Sequence, residues 1–171
     1  GALCSMVARL TLGREQFRDA SPAMEELHEQ SQRLRARLAE LVDEDTQAYA
    51  AVVAARRMPR GTEQEQAART AAIAGATLRA ARVPLETLTL LRALAGCAAR
   101  ALERGNPACL TDAGSAAALV LAGATAAAYN VRVNLPGVEV PAEREALRRQ
   151  AHEALAGGRD GASVLRAGLR A

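Results

Sequence analysis

Two aspartates occupy positions where a carboxylate could take part in chemistry. The apolar stripe of a helix predicted over residues 21–57 continues through Leu41 and Ala48, and the core-facing position between them holds Asp45. A carboxylate on such a stripe is either paired in a salt bridge or part of a functional site, because acids are rarely buried without a partner. Asp112 opens a later helix, where it either complements the helix dipole or serves in a site.

Amide and guanidinium side chains cluster near the far end of the helix that Asp112 opens. Asn130 and Asn134 are four residues apart and share a face, with Arg132 between them. They could hydrogen-bond either a ligand or a neighbouring helix. Eighteen residues separate Asp112 from Asn130, which is about 27 Å along a helix. The two side chains therefore cannot both touch one reacting atom of a ligand.

The helix that separates these two groups carries no charge between Ala113 and Tyr129. A helix that is apolar all round is typical of the middle of a bundle, so we expect a central helix at about 112–134 surrounded by the others. The run is slightly short for a membrane span and consists mostly of Ala and Gly, which insert poorly. We therefore expect no membrane partner.

Helix boundaries elsewhere in the chain predict a bundle of six or seven helices in a single all-α domain over residues 1–171. The first helix should end near Gly13, and Thr62 with Glu65 forms a capping box that starts the third. Pro84 is predicted to divide that helix from a fourth, and Gly157-Gly158 to separate a last short segment. Thr111 is expected to cap the central helix.

Composition excludes several classes of function. The 22 basic residues, all of them Arg, face 19 acidic ones, and only three residues are aromatic, so we expect no nucleic-acid partner. Three cysteines, Cys4, Cys97 and Cys109, match neither a metal site nor a disulfide framework. The two histidines are not spaced as metal ligands are, so we expect no metal site. Reduced thiols are typical of a cytoplasmic protein, and we expect that location.

Six short blocks follow one another in order over nearly the whole chain. They are Met6 to Gly13, Asp43 to Asp45, Arg82 to Leu85, Gly105-Asn106, Thr111 to Gly114, and Asn130 to Leu135. In order and spacing they resemble the family of formiminotetrahydrofolate cyclodeaminases and methenyltetrahydrofolate cyclohydrolases, which are small all-helical folate enzymes. The resemblance implies a central helix surrounded by about five others and a homodimer. Family members also carry a Pro-Gly-Gly-Gly-Ser segment ahead of the first helix, and this sequence does not contain it.

The resemblance implies one of two reactions on a tetrahydrofolate, and neither needs a metal or an organic cofactor. One closes 5-formiminotetrahydrofolate to 5,10-methenyltetrahydrofolate with loss of ammonia, and the other hydrolyses the methenyl compound to 10-formyltetrahydrofolate. A non-catalytic helical dimerisation module that retains the fold is the alternative. The implied site residues are Asp45 and Asp112 as acid and base, Asn106, Asn130 and Asn134 on the pterin, and Arg132 or Arg9 on the glutamate carboxylates. We expect the site to be completed across the dimer interface.

Overall fold

The chain folds into five α-helices joined by short segments, and the residues that the structure describes contain no strand. The structure is a computed structural model that describes the backbone of residues 1–168 and the side chains of residues 1–156. The predicted all-α class is confirmed, with helices α1 (Ala2–Thr11), α2 (Ser21–Arg57), α3 (Glu63–Arg104), α4 (Leu110–Asn134) and α5 (Pro141–Gly168).

Local sequence signals define the helix ends. Gly13 has a φ of +75°, which a glycine adopts without strain, and it follows α1 directly as predicted. The capping box at the start of α3 is present, because the Thr62 hydroxyl accepts from the Glu65 backbone and the Glu65 carboxylate accepts from Thr62. Thr111, by contrast, does not cap α4, since that helix already begins at Leu110.

Two predicted helix breaks do not occur, which reduces the count from six or seven to five. α3 runs continuously through Pro84, and α5 continues through Gly157-Gly158. A proline within a helix cannot donate to the carbonyl four residues earlier. That carbonyl belongs to Ala80, and it accepts a hydrogen bond from the Asn134 side chain at 3.1 Å. A donor from α4 thus compensates for the proline and allows one long helix.

Helices α1, α3 and α5 pack around α4, and one face of α4 remains open to solvent in the single chain. Small buried residues such as Ala113 and Ala124 let α4 pack closely on its neighbours. Its opposite face exposes 66% of Leu119, 65% of Tyr129 and 71% of Val133. By length and composition alone the segment Pro107–Gly137 could cross a membrane, with 33% of its most apolar window buried.

A network of ion pairs joins α2 to α3 at the surface. Arg37 donates to Glu86 at 2.7 Å, to Glu40 at 3.0 Å and to both carboxylate oxygens of Glu44. The hydrogen bonds from Arg37 hold the pKa of Glu44 below its ordinary value. The ionised form of Glu44 therefore stabilises the folded state.

The variant Glu44→Gln should be less thermostable than the wild type at neutral pH. The pKa of Glu44 is lowered on folding. The stabilisation that its ionised form gives the folded state is therefore complete above the unfolded-state pKa of about 4.3, and it is lost as the pH falls through the folded-state pKa. Thermal unfolding between pH 3 and pH 8 measures this, and the difference in Tm should shrink only at acid pH. Glu29→Gln, at an exposed pair with Arg33, is the matched control. An equal Tm difference at both ends of the range would contradict the assignment.

Candidate active site between three helices

A groove lies between α2 and α4, with α3 as its floor. It has two adjoining lobes of about 420 and 310 Å³. From the first lobe to the second, the residue numbers of the lining positions rise on α2 and α4 and fall on α3. Helices α2 and α4 therefore run parallel, and α3 runs antiparallel to both. The apolar lobe is lined by Leu38, Leu41, Val42, Asp45, Thr46, Pro84, Thr87, Leu91, Gly123, Ala126, Ala127 and Asn130, and the polar lobe by Asp45, Tyr49, Val52, Arg56, Ala80, Asn130, Val133 and Asn134.

Asp45 and Asn130 line both lobes and therefore stand at their junction. Asp45 does not occupy the core-facing slot that its place on the stripe predicted, because it is exposed on the groove. Leu41 and Ala48 on either side of it are buried, so Asp45 lies at the edge of the α2 stripe, where the helix borders the groove. Asp45 forms no ion pair with any residue that the structure describes, so the salt-bridge alternative is not supported.

Asn134 has a structural role as well as a place in the polar lobe. Its side-chain amide donates to the carbonyl of Ala80 on α3 at 3.1 Å and to that of Asn130 at 2.9 Å. The alternative of a hydrogen bond to a neighbouring helix is therefore confirmed for Asn134. Its side-chain oxygen accepts no hydrogen bond from the described residues, and the residue still lines the groove.

Three of the predicted site residues lie at the other end of the molecule. Asp112 is in the first turn of α4, about 27 Å from Asn130 along the same helix. The Asn106 amide donates to the Leu10 carbonyl and accepts from the Ala108 backbone, and the Asn106 N–H donates to a threonine hydroxyl. Asn106 is thus a buried cap that docks a loop onto α1, and Arg9 is exposed in the last turn of that helix.

Arg132 faces away from the groove. It lines a separate cavity of about 830 Å³ between α4 and α5, together with Arg144, Arg148 and His152. Residues two apart on a helix point in directions about 200° apart, which explains why Arg132 is separated from Asn130 and Asn134. The structure therefore brings together Asp45, Asn130 and Asn134 but not Arg132, Arg9, Asn106 or Asp112.

Two groove residues were not predicted from the sequence. Tyr49 and Arg56 follow Asp45 on the same face of α2, at spacings of four and then seven residues. This periodicity was the signal that could have identified them. Among the described residues no group of three or more His, Cys, Asp or Glu side chains is placed to hold a metal ion.

The structure is thus all-helical, with a two-lobed groove that holds Asp45 and Asn130 at the junction of its lobes. A family model described as formiminotransferase-cyclodeaminase matches residues 1–153. The chain therefore belongs to the formiminotransferase-cyclodeaminase family, as the sequence blocks predicted.

Two curated relatives and one solved structure are similar to this chain. The methenyltetrahydrofolate cyclohydrolase of Methylorubrum extorquens is 36% identical over 138 residues, which cover 81% of this chain and 66% of that protein. The formimidoyltransferase-cyclodeaminase of Rattus norvegicus is 34% identical over 134 residues, covering 78% of this chain and 25% of that protein. The crystal structure of formiminotetrahydrofolate cyclodeaminase from Thermotoga maritima superposes with a TM-score of 0.88 at 25% identity, over 99% of this chain and 80% of that one.

Proposed function

We propose that the chain acts on a tetrahydrofolate in one-carbon metabolism, as a cyclodeaminase or a cyclohydrolase. The observation that carries the proposal is the position of Asp45 and Asn130 at the junction of the two lobes. A tetrahydrofolate also has two parts, a flat pterin and a p-aminobenzoylglutamate, and its reacting nitrogens N5 and N10 lie where the parts join. The names of the relatives support the same substrate class.

The two lobes differ in a way that orients such a substrate. Leu38, Leu91 and Ala126 line the first lobe, whose apolar walls suit the faces of a pterin ring. Gly123 keeps this lobe open on the α4 side, because a Cβ there would come within 3.3 Å of Leu91. The second lobe, which carries Tyr49, suits the more polar p-aminobenzoylglutamate. N5 and N10 then lie beside Asp45.

The proposed chemistry is proton transfer by Asp45. In cyclodeamination N10 attacks the formimino carbon on N5, so a base must take the N10 proton and an acid must protonate the departing ammonia nitrogen. A carboxylate at the junction can do the first task and, once protonated, the second. In hydrolysis of the methenyl compound the same carboxylate deprotonates the attacking water and stabilises the cationic ring carbon. Asn130 holds the reacting end of the substrate by hydrogen bonds. Neither reaction requires a metal or an organic cofactor.

Two spectrophotometric assays on the purified protein test the proposal. One follows methenyltetrahydrofolate formation from the 5-formimino compound together with ammonia release, and the other follows methenyltetrahydrofolate hydrolysis above the spontaneous rate. Turnover in one assay identifies the reaction as a lyase or a hydrolase step. Absence of turnover in both, with no binding of tetrahydrofolate, would favour a non-catalytic helical module.

We further propose that the protein is a homodimer in which a second copy covers the open face of α4. The exposed apolar side chains Leu119, Tyr129 and Val133 support this, because monomeric proteins rarely leave such a row uncovered. Asp112 lies about 27 Å along α4 from Asn130, which stands beside Asp45 in the groove, so Asp112 and its neighbours cannot join Asp45 within one chain. They could contribute to the groove only from the second copy.

Light scattering on the eluting protein tests the dimer. The wild type should have about twice the 17.9 kDa mass of one chain, and Leu119→Glu should elute at the mass of a single chain because it places a charge in an apolar contact. Glu103→Gln, an exposed change outside this face, is the control. A wild-type monomer with full activity would remove both the dimer and the shared site.

A cytoplasmic location completes the proposal. Its support is the state of the cysteines, since Cys4, Cys97 and Cys109 are free thiols buried in one apolar cluster. Burial raises the pKa of the Cys4 thiol, so that thiol stays protonated and unreactive.

A further inference from the structure

Among the described residues that line the two lobes, Arg56 is the single cation. Its side chain forms no ion pair with any described residue, and only its backbone carbonyl is engaged, as the acceptor for Arg69. The groove therefore presents one guanidinium in the polar lobe that is not paired with a carboxylate of the described residues.

The position of Arg56 relative to Asp45 is set by the helix. Asp45, Tyr49, Val52 and Arg56 follow one face of α2 at spacings of four, three and four residues. Eleven residues correspond to about 16 Å along the axis, so the cation and the carboxylate mark separate places in the groove. A ligand that touches both is extended and carries its anionic group away from its reacting centre.

The local sequence explains why the charge of Arg56 is not neutralised within the protein. Arg33 and Arg37, on the same helix, each have an acid three or four residues away and pair with it. Arg56 has valines three and four residues before it, and α2 ends at the residue that follows it. Its guanidinium is thus left for an anion that comes from outside the chain.

We propose that Arg56 binds a carboxylate of the substrate's glutamate and so selects folates that carry this group over pterins that lack it. The inference rests on the proposed function and replaces Arg132 and Arg9, which the structure places outside the groove. A guanidinium pairs with a carboxylate through two parallel hydrogen bonds, which fix orientation as well as charge. Arg56 is a substrate-positioning residue, because it acts at the end of the ligand remote from the reacting carbon.

The test compares wild type, Arg56→Gln and Arg57→Gln on two substrates, the tetrahydrofolate compound and the corresponding tetrahydropteroate without glutamate. Arg57 is also exposed in the last turn of α2 but lines neither lobe, so it is the matched control. Wild type and the control should prefer the glutamate-bearing substrate by about tenfold in kcat/KM, the usual effect of one charge-assisted pair. Arg56→Gln should lose this preference through KM while kcat is retained, and the three proteins should be alike on the truncated substrate.

An unchanged preference in Arg56→Gln, or an equal loss on both substrates, would overturn the assignment. Failure of the proposed function is distinguishable, because the wild type would then turn over neither compound. In that case titration calorimetry with tetrahydrofolate and tetrahydropteroate still decides the role of Arg56. Tighter binding of tetrahydrofolate that disappears in Arg56→Gln supports it, and equal affinities or no binding contradict it.

Discussion

Replacement of Asp45 by Asn is expected to lower kcat by about 10²–10⁴-fold, the usual contribution of a positioned acid or base. The amide keeps the shape of the side chain but can neither take the proton from N10 or water nor return it to the leaving group. KM should change little, because the pterin and the glutamate contact other residues of the groove. Steady-state assays with both substrates measure the effect.

Asp43→Asn is the matched control for Asp45→Asn. Asp43 lies two residues earlier on α2, is also exposed, and lines neither lobe of the groove. Both variants should keep the helical circular dichroism and the Tm of the wild type, since exposed substitutions change the free energy of unfolding by about 0.5 kcal/mol or less. Retention of full turnover in Asp45→Asn would remove this residue as the acid–base group.

Replacement of Gly105 by Ala should destabilise the fold by about 3 kcal/mol, which corresponds to a Tm lower by about 10 °C. A Cβ at this position would lie 2.3 Å from the Ala101 carbonyl oxygen and 2.6 Å from a methyl carbon of Val7. Both contacts are shorter than any real Cβ contact, and one is to backbone, so the loop between α3 and α4 would have to leave α1. Thermal and urea unfolding measure the loss.

Gly75→Ala provides the control, with the opposite expected sign. Gly75 lies inside α3 with nothing within 4 Å of the position of a Cβ, so the alanine should stabilise the helix by about 0.5–1 kcal/mol. Equal stabilities for Gly105→Ala and the wild type would show that the loop is free to move away from α1.

The sequence was sufficient to predict the helices whose ends carry local signals. The start of α2 at Ser21, the capping box at Thr62 and the end of α1 before Gly13 follow from side chains within a few residues. Pro84 shows the limit of such signals. Whether a proline ends a helix depends on whether another element supplies the lost donor, and here the donor is fifty residues later in the chain.

The candidate site was predicted only in part, for a reason of geometry. Asp45, Asn130 and Asn134 could be named because their residue types stood out against apolar helices, but the direction that each faces depends on how α2 and α4 pack. Arg56 did not stand out among 22 arginines. Asn106 has the residue type of a ligand contact, yet its hydrogen bonds are used to hold the loop to α1.

The hydrogen bond from Asn134 to Ala80 limits how the groove can be redesigned or can evolve. Any exchange of Asn134 that adapts the polar lobe to a new ligand also removes the donor that compensates for Pro84, and a buried carbonyl without a partner costs about 1–3 kcal/mol. An alanine at position 84 would restore the backbone donor and release Asn134 from this role. Positions 84 and 134 are therefore expected to vary together among descendants of this chain. A change of ligand specificity at position 134 would then require an earlier replacement of Pro84, in the middle of α3.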